Sequence, residues 1–261
     1  MGFQPVYVVD GARTPFLKGR NAPGPFAASD LAVQAGCALL IRQPFAASDL
    51  DEVILGCASP SPDEINIGRV VALRLGCGHQ VPAWTVMRNC ASGMQAIDSA
   101  MANIHNGRAQ LVLAGGVDAL SHAPLLYSEV MVRWFARMMQ AKTIGQKIAT
   151  FARLRPSPLL SPVIGLLKGL TDPVIGLLMG QTAENLAWRF GISRQQMDLY
   201  SVRSHQRAVA ARAAGHLDEI VPLVDGTGQV HDRDDGVRSD SSMDGLARLK
   251  PFFDRKYGRV T

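Results

Sequence analysis

The sequence predicts an α/β protein with a mixed, mostly parallel sheet that carries helices on both faces. Within the first 120 residues, short apolar and β-branched runs alternate with segments of helical periodicity, which is typical of strands joined by crossover helices. The composition, 47% hydrophobic and 19% charged over 261 residues, is sufficient for a sizeable buried core. Helical periodicity resumes between residues 182 and 214, which predicts a second, largely helical region.

Each element of the predicted sheet follows from a local pattern. Short apolar runs predict strands at 6–10, 51–57, 84–88 and 110–114. Helices are predicted from Asp30, as the capping residue, toward Arg42, and then over 67–75 and 93–106. The polar residues 226–242 predict a loop, and 246–253 predict a return to regular structure.

Cys90 lies where the third predicted strand passes into a helix. Small residues follow it directly, and Met94, Ile97 and Met101 then begin a helical apolar face. Unpaired amides at a helix N-terminus favour a thiolate and can also stabilise an oxyanion. The pattern therefore indicates a nucleophile that attacks acyl carbonyls. A buried cysteine with only a packing role is the alternative that the residues alone leave open.

Five segments, in order along the chain, resemble motifs of the thiolase family. They are 9–16 (VDGARTPF), 89–96 (NCASGMQA), 115–124 (GGVDALSHAP), 179–185 (MGQTAEN) with Ser204-His205 after it, and 249–252 (LKPF). Because 89–96 resembles the motif that carries the family's acylated cysteine, the resemblance identifies Cys90 as the catalytic nucleophile. It implies acyl transfer between a 3-ketoacyl-CoA and CoA through a cysteine thioester, in fatty-acid β-oxidation.

The resemblance also implies the layered thiolase fold and its domains. Residues 1–120 are expected to form the first part of the N-terminal domain, and 121–245 a loop domain with a basic, apolar insert at 124–180. Residues 246–261 are expected to return to the N-terminal domain. CoA and acyl-CoA are the expected substrates, with no permanently bound cofactor and no metal. The apolar insert favours medium or long acyl chains.

The resemblance stops at Thr261, before the family's second half would begin. That half supplies a Gly-His-Pro histidine, a Cys-x-Gly cysteine and an Asn-Glu-x-Phe asparagine, and none of these motifs occurs in the 261 residues. The six histidines of the chain match no catalytic histidine of the family. We therefore expect this chain alone to be inactive. Its apolar helices would be exposed without the second half, so we expect homo-oligomers, poor solubility or a rearranged surface. The alternative is an incomplete thiolase fragment that only binds CoA or serves in assembly.

Arg238 is the predicted contact for CoA. It follows the acidic pair Asp234-Asp235, as does the family's arginine at the nucleotide end of CoA, and a solvated loop arginine is the alternative. The family's nearby serine contact falls on Gly245, which puts that contact in doubt. Asp118 replaces the family's glutamate, and we expect it still to hold a neighbouring loop by hydrogen bonds. His122 is expected to be structural.

The net charge of +5 belongs to one region of the chain. Between residues 124 and 180 seven basic residues stand against two acidic ones. The basic residues are Arg133, Arg137, Lys142, Lys147, Arg153, Arg155 and Lys168, and Pro156-Ser157-Pro158 interrupts the segment. Three interpretations stay open: the core of the loop domain, a membrane-surface helix, or a docking face for another subunit. Residues 140–147 resemble the β subunits of trifunctional β-oxidation complexes, which implies an α subunit as partner.

Composition also bears on compartment and excluded functions. Four scattered cysteines without metal-like or disulfide-dense spacing predict a reducing, cytoplasmic setting. No signal peptide or transmembrane stretch is predicted. The basic residues lack groove-reading or base-stacking modules, which argues against nucleic-acid binding. Condensing enzymes share the fold class and a cysteine, but 10–15 and 89–96 resemble thiolases instead.

Overall fold

The computed structural model of the chain describes residues 5–20, 22–154 and 161–261. They divide into two compact units. The first comprises residues up to His122 together with Gln195–Leu249, and the second comprises Ala123–Arg194 and Lys250–Thr261. Arg155 and the Pro156–Pro158 segment of the basic insert lie outside the described residues.

A three-stranded parallel sheet organises the first unit. Strands β1 (Glu52–Gly56), β2 (Ala83–Val86) and β3 (Val112–Gly116) lie in the order β2-β1-β3, so that β1 is central. Helices α1 (Ala28–Leu40), α2 (Ile67–Arg74) and α3 (Ser92–His105) accompany it. Because all three strands are parallel, their carboxyl ends at Gly56, Val86 and Gly116 meet at one edge.

The central strand is buried on both of its faces. Val53 and Leu55 pack with Ile67 and Val71 of α2, while Ile54 packs on the other face with the small residues of α3. Successive side chains of a strand point to opposite faces, so that two separate apolar clusters form from one strand. The predicted fold class, a mostly parallel sheet with helices on both faces, is confirmed.

Two glycines at the carboxyl edge determine how closely α3 approaches the sheet. A Cβ atom on Gly56 would lie 2.2 Å from the carbonyl carbon of Ser92, and one on Gly116 would lie 2.8 Å from the Cα of Gly93. Real side chains do not tolerate such distances. The first turn of α3 therefore rests directly on the backbone of β1 and β3.

The second unit is largely helical in its described residues. Its elements are β4 (Leu125–Leu126), α4 (Glu129–Gln140), α5 (Ile144–Ala152), β5 (Val163–Ile164), α6 (Gly165–Gly169) and α7 (Met179–Arg189), with β4 and β5 antiparallel. Met131 is the only residue of α4 and α5 that is fully buried. The Trp134 indole N–H joins these two helices by donating to the Thr150 carbonyl at 2.9 Å.

The remaining elements complete the first unit. They are α8 (Arg194–Ala213), β6 (Leu223–Val224), β7 (Val230–His231) and α9 (Met243–Ala247), with β6 and β7 forming an antiparallel hairpin. Short 3₁₀ segments occur at Ala47–Asp49, Pro62–Glu64 and Leu120–His122. The helical pattern at 182–214 is thus realised as two helices. The predicted polar loop at 226–242 contains one strand of the hairpin.

Three local predictions were wrong. Regular structure was predicted over 246–253, but the helix α9 ends at Ala247 and residues 248–253 form neither helix nor strand. Residues 6–10 form no strand, and Val8 is 86% exposed, because no described strand runs beside them to satisfy their backbone groups. Helix α1 begins at Ala28 instead of after Asp30. The Asp30 carboxylate lies within the first turn and accepts the Ala27 N–H at 3.1 Å, so it caps the helix from inside.

Replacing Gly56 by alanine tests the close approach of α3. The added methyl group cannot be accommodated without moving the first turn of the helix, and we expect Gly56→Ala to lose about 1–3 kcal/mol of unfolding free energy in urea. Gly19→Ala is the matched control, since nothing lies within 4 Å of a Cβ there. Equal stability of the two variants would show that α3 does not rest on the strand ends.

Candidate active site

The turn around Cys90 (residues 87–93, the Cys90 turn) is held by hydrogen bonds among its own residues. Asn89 has a φ of +49°, a left-handed conformation that asparagine tolerates better than most residues. The buried Ser92 hydroxyl accepts the Arg88 N–H at 2.8 Å and donates to the Asn89 carbonyl at 2.7 Å. Ala91 N–H also donates to the Arg88 carbonyl, at 3.0 Å. These bonds fix the turn between β2 and α3.

Cys90 is exposed and free on this turn. The residue at the start of α3, Ala91, offers no side-chain cap, and within the described ranges the amides of Gly93 and Met94 have no acceptor. Unpaired N–H groups at the start of a helix are donors for an anion. The turn therefore presents a thiol beside free backbone donors, which is an arrangement that nucleophilic acyl transfer requires.

Asp118 stabilises the loop that follows β1 at the same sheet edge. Its carboxylate accepts the Ser59 N–H at 2.8 Å and the Ala58 N–H at 3.0 Å, so the expected role of this shorter carboxylate is confirmed. The Cys57 thiol lies 3.5 Å from the same oxygen. Burial, reinforced by the Asp118 charge, raises the pKa of Cys57 to about 12. Cys57 is therefore a packing residue and holds its proton.

Arg238 lies exposed in the loop between β7 and α9. The acidic pair before it, Asp234 and Asp235, makes contacts within the protein. The Asp234 carboxylate accepts hydrogen bonds from both terminal nitrogens of Arg13, at 2.8 and 3.0 Å. It also accepts one from the Phe16 N–H, at 2.7 Å. Asp235 accepts the Lys18 N–H and pairs with Arg20. The pair thus fastens the N-terminal segment to the loop.

These connections could not be predicted from the sequence because they join residues more than 200 positions apart. Arg13 also contacts Glu219, at 3.1 Å, and exchanges backbone hydrogen bonds with Glu219 and Val221. The acidic pair was visible in the sequence, but no local spacing identified its partner. A charged pair followed by glycine is equally typical of a solvated turn.

The structure does not join the two predicted site residues. Both lie in the first unit, but no hydrogen bond or ion pair among the described residues connects Cys90 with Arg238. His122 contacts the Gly24 carbonyl through Nε2 at 2.9 Å, a link between two loops. Gly245 donates its N–H to Ser242 at the start of α9.

Within residues 5–20, 22–154 and 161–261, no group of three or more His, Cys, Asp or Glu side chains is placed to hold a metal ion. No helix in that part of the chain combines the length and apolar character needed to cross a bilayer. Neither finding assigns a compartment.

Comparison with known proteins adds a family match. Residues 6–261 match the family model described as "Thiolase, N-terminal domain". The chain is 35% identical to the mitochondrial trifunctional enzyme subunit beta of Mus musculus, covering 98% of this chain and 53% of that protein. It is 33% identical to the 3-ketoacyl-CoA thiolase of Yersinia enterocolitica, covering 98% of this chain and 58% of that protein.

Solved structures give the same result for the fold. Human mitochondrial 3-ketoacyl-CoA thiolase in complex with CoA superposes with a TM-score of 0.80 at 32% identity, covering 98% of this chain and 60% of that one. The Bacillus anthracis acetyl-CoA acetyltransferase gives a TM-score of 0.81 at 32% identity, covering 96% and 59%. The chain therefore spans between half and two thirds of the length of these relatives.

The Asp234–Arg13 pair predicts a pH dependence of stability. Arg13 holds the pKa of Asp234 below its usual value, against the opposing effect of partial burial. The folded state favours the carboxylate, so its contribution is complete above the unfolded pKa of about 4 and is lost as the pH falls through the folded pKa. We expect Asp234→Asn to be less stable near neutral pH and to lose less stability on acidification.

Urea unfolding at a series of pH values between about 7 and 3 measures this difference. Asp240→Asn, which changes an exposed carboxylate of the same loop, is the control and should follow the unaltered chain. If Asp234→Asn has the same pH profile as the unaltered chain, the pair does not stabilise the fold.

Proposed function

Because the chain belongs to the thiolase family, we propose that Cys90 accepts an acyl group from a 3-ketoacyl-CoA and passes it to CoA. The Cys90 sulfur bonds to the keto carbon, and the bond between that carbon and its α-carbon breaks. The released enolate takes up a proton and leaves as acetyl-CoA. The thiol of a second CoA then attacks the Cys90 thioester, which returns the cysteine and releases a shortened acyl-CoA.

One observation carries this proposal: an exposed thiol on a fixed turn beside unpaired helix amides. In both half-reactions a negative charge develops on the carbonyl oxygen that is attacked. The Cys90 N–H, with the free amides of the first turn of α3, is placed in sequence to donate to that oxygen. The glycines at 56 and 116 support this by keeping the helix start on the strand ends.

We further propose that this chain holds only the acyl-accepting part of the site. The deprotonation of the thiol and the protonation of the enolate each require an acid or base. The motifs that supply them in the family do not occur in residues 1–261. Turnover then requires those groups from another polypeptide segment. The alternative is a chain that binds CoA or assists assembly without accepting an acyl group.

The second unit supports a proposal about partners. Apolar side chains of α4 and α5 are exposed, with Met139 at 87% and Ile144 at 78%. Basic residues lie among them, and Glu129 is the one acidic residue in the two helices. A protein subunit is proposed as one occupant, since relatives are named as subunits of a trifunctional enzyme. An anionic membrane surface is a second proposed occupant. A further copy of the same chain, giving a homo-oligomer, is the third.

We place the protein in a reducing, cytoplasmic compartment. All four cysteines are free, and two of them, Cys57 and Cys77, are buried where burial raises the pKa of the thiol. Free thiols persist where glutathione and thioredoxin keep cysteines reduced. The bacterial relatives support this placement, whereas other relatives are named as mitochondrial.

The acyl-transfer proposal predicts a covalent adduct on one residue. After incubation with acetoacetyl-CoA or acetyl-CoA, intact-mass spectrometry should detect one acyl group on the 261-residue chain and none on Cys90→Ala. Cys57 is an internal control, because its buried, protonated thiol should stay unmodified.

The outcomes separate the two functions. No adduct, with Cys90 still alkylated by iodoacetamide, would contradict acyl transfer by this chain and favour the CoA-binding alternative. An adduct without thiolysis of acetoacetyl-CoA in a steady-state assay would support an acyl-accepting half. Full turnover by the chain alone would contradict the proposal that the missing motifs are required.

The membrane proposal predicts binding to vesicles that contain phosphatidylserine. Removing two basic residues in Arg137→Gln/Lys147→Gln should weaken co-sedimentation about 30-fold, since each basic residue near an anionic surface contributes about 1 kcal/mol. Arg203→Gln/Arg207→Gln on α8 is the matched control, with the same charge change on exposed residues. Equal binding to neutral vesicles, or an equal loss in both variants, would contradict a specific membrane face.

A further inference from the structure

The loop that carries Arg238 is fastened at three points. Asp234 and Asp235 hold its beginning against the N-terminal segment. At the end of the loop, the Ser242 hydroxyl caps the start of α9 by accepting the Gly245 N–H. Between these points, the Arg238 N–H donates to Nδ1 of His205 at 3.2 Å, across 33 positions of sequence. Within the described residues, this is the only hydrogen bond that ties residues 236–240 to another element.

The charges of the loop are arranged so that the Arg238 guanidinium is available. Asp234 is occupied by Arg13, and Asp235 by Arg20 and the Lys18 N–H. Asp232 lies 3.7 Å from Arg233. Arg238 itself makes no ion pair with any residue that the structure describes. An exposed guanidinium without a carboxylate partner is suited to bind a phosphate.

The surface beside Arg238 is concave. A cavity of about 760 Å³ in the first unit lies between α8 and the loop, and Val237 and Ser239, on either side of Arg238, both line it. Val209 and Arg212 of α8 form part of its other wall. His205 lies on the same helix, one turn before Val209. The hydrogen bond from Arg238 to His205 therefore ties the loop to the helix that forms the other wall.

We propose that His205 is a positioning residue for Arg238. Its Nδ1 accepts the Arg238 backbone N–H and thereby fixes the part of the loop that carries the guanidinium. In this position the exposed guanidinium would receive the nucleotide end of CoA. The proposal rests on the proposed function for its ligand, but the contact itself does not depend on it. Because Nδ1 is the acceptor, the neutral ring carries its proton on Nε2.

The test compares His205→Ala, which removes the acceptor, with His205→Asn, which can present an amide oxygen near the position of Nδ1. CoA affinity is measured by titration calorimetry on the 261-residue chain. We expect His205→Ala to weaken CoA binding about 3- to 10-fold, as for the loss of one hydrogen bond, and His205→Asn to restore it to within about twofold. Pantetheine, which lacks the nucleotide, should bind the three proteins equally.

A double-mutant cycle separates positioning from a general structural effect. In the Arg238→Ala background, His205→Ala should have little further effect on CoA binding, because it acts through that arginine. Unchanged CoA affinity in His205→Ala would overturn the proposal. An effect of the same size in both backgrounds, or an equal loss for pantetheine, would also overturn it.

A failure of the proposed CoA binding can be distinguished from a failure of the positioning by His205. If the unaltered chain binds no CoA, the ligand assignment fails, and hydrogen exchange at the Arg238 amide decides the positioning alone. Faster exchange in His205→Ala and protected exchange in His205→Asn would support the contact. Equal exchange in all three proteins would overturn it.

Discussion

The arrangement of the candidate site depends on the contact between the first turn of α3 and the ends of β1 and β3. Gly56 and Gly116 have no side chains, and any Cβ atom there would collide with the backbone of Ser92 or Gly93. The helix start is therefore closer to the sheet than ordinary packing allows. This closeness lets the short Cys90 turn connect β2 to α3, with Ser92 bonded to both Arg88 and Asn89.

The same constraint explains why the cysteine is exposed while its surroundings are not. Ser92, Ala96 and Ala100 lie buried between helix and sheet, so α3 is fixed along one side. Its opposite side remains open, and Met94 is 69% exposed. Large apolar side chains on a helix indicate a surface that another element covers.

Ion pairs and charged hydrogen bonds hold the parts of the first unit that apolar packing does not hold. The segment 13–20 forms no helix, and its backbone hydrogen bonds to residues 219, 221 and 235 are supplemented by the side chains of Asp234 and Asp235. Bidentate arginine–carboxylate pairs fix geometry as well as contributing energy. Because these carboxylates are occupied, the next basic residue in the loop, Arg238, has no carboxylate partner among the described residues.

The amino-acid sequence by itself determined the three strands of the parallel sheet, the helices that accompany them, and the candidate nucleophile. The apolar run at 51–57 contains the central strand, whose residues 53–56 are buried, and the run at 110–114 enters its half-buried neighbour β3. A buried or half-buried strand needs apolar residues, so it leaves a strong local signal. Cys90 was recognisable because small residues follow a strand and precede a helical apolar pattern. The resemblance of the surrounding motif then supplied the chemistry, and the family match confirmed the family.

Only the tertiary structure decided the contacts between distant residues. The strand predicted at 6–10 has the right residues but lacks a described neighbour, and backbone hydrogen bonds require two partners. The union of Arg13 with Asp234, and of Arg238 with His205, joins positions that no spacing rule connects. Local patterns report which face of an element is buried. The packing of the elements determines which polar groups meet. It alone brings the Arg238 backbone to the His205 ring.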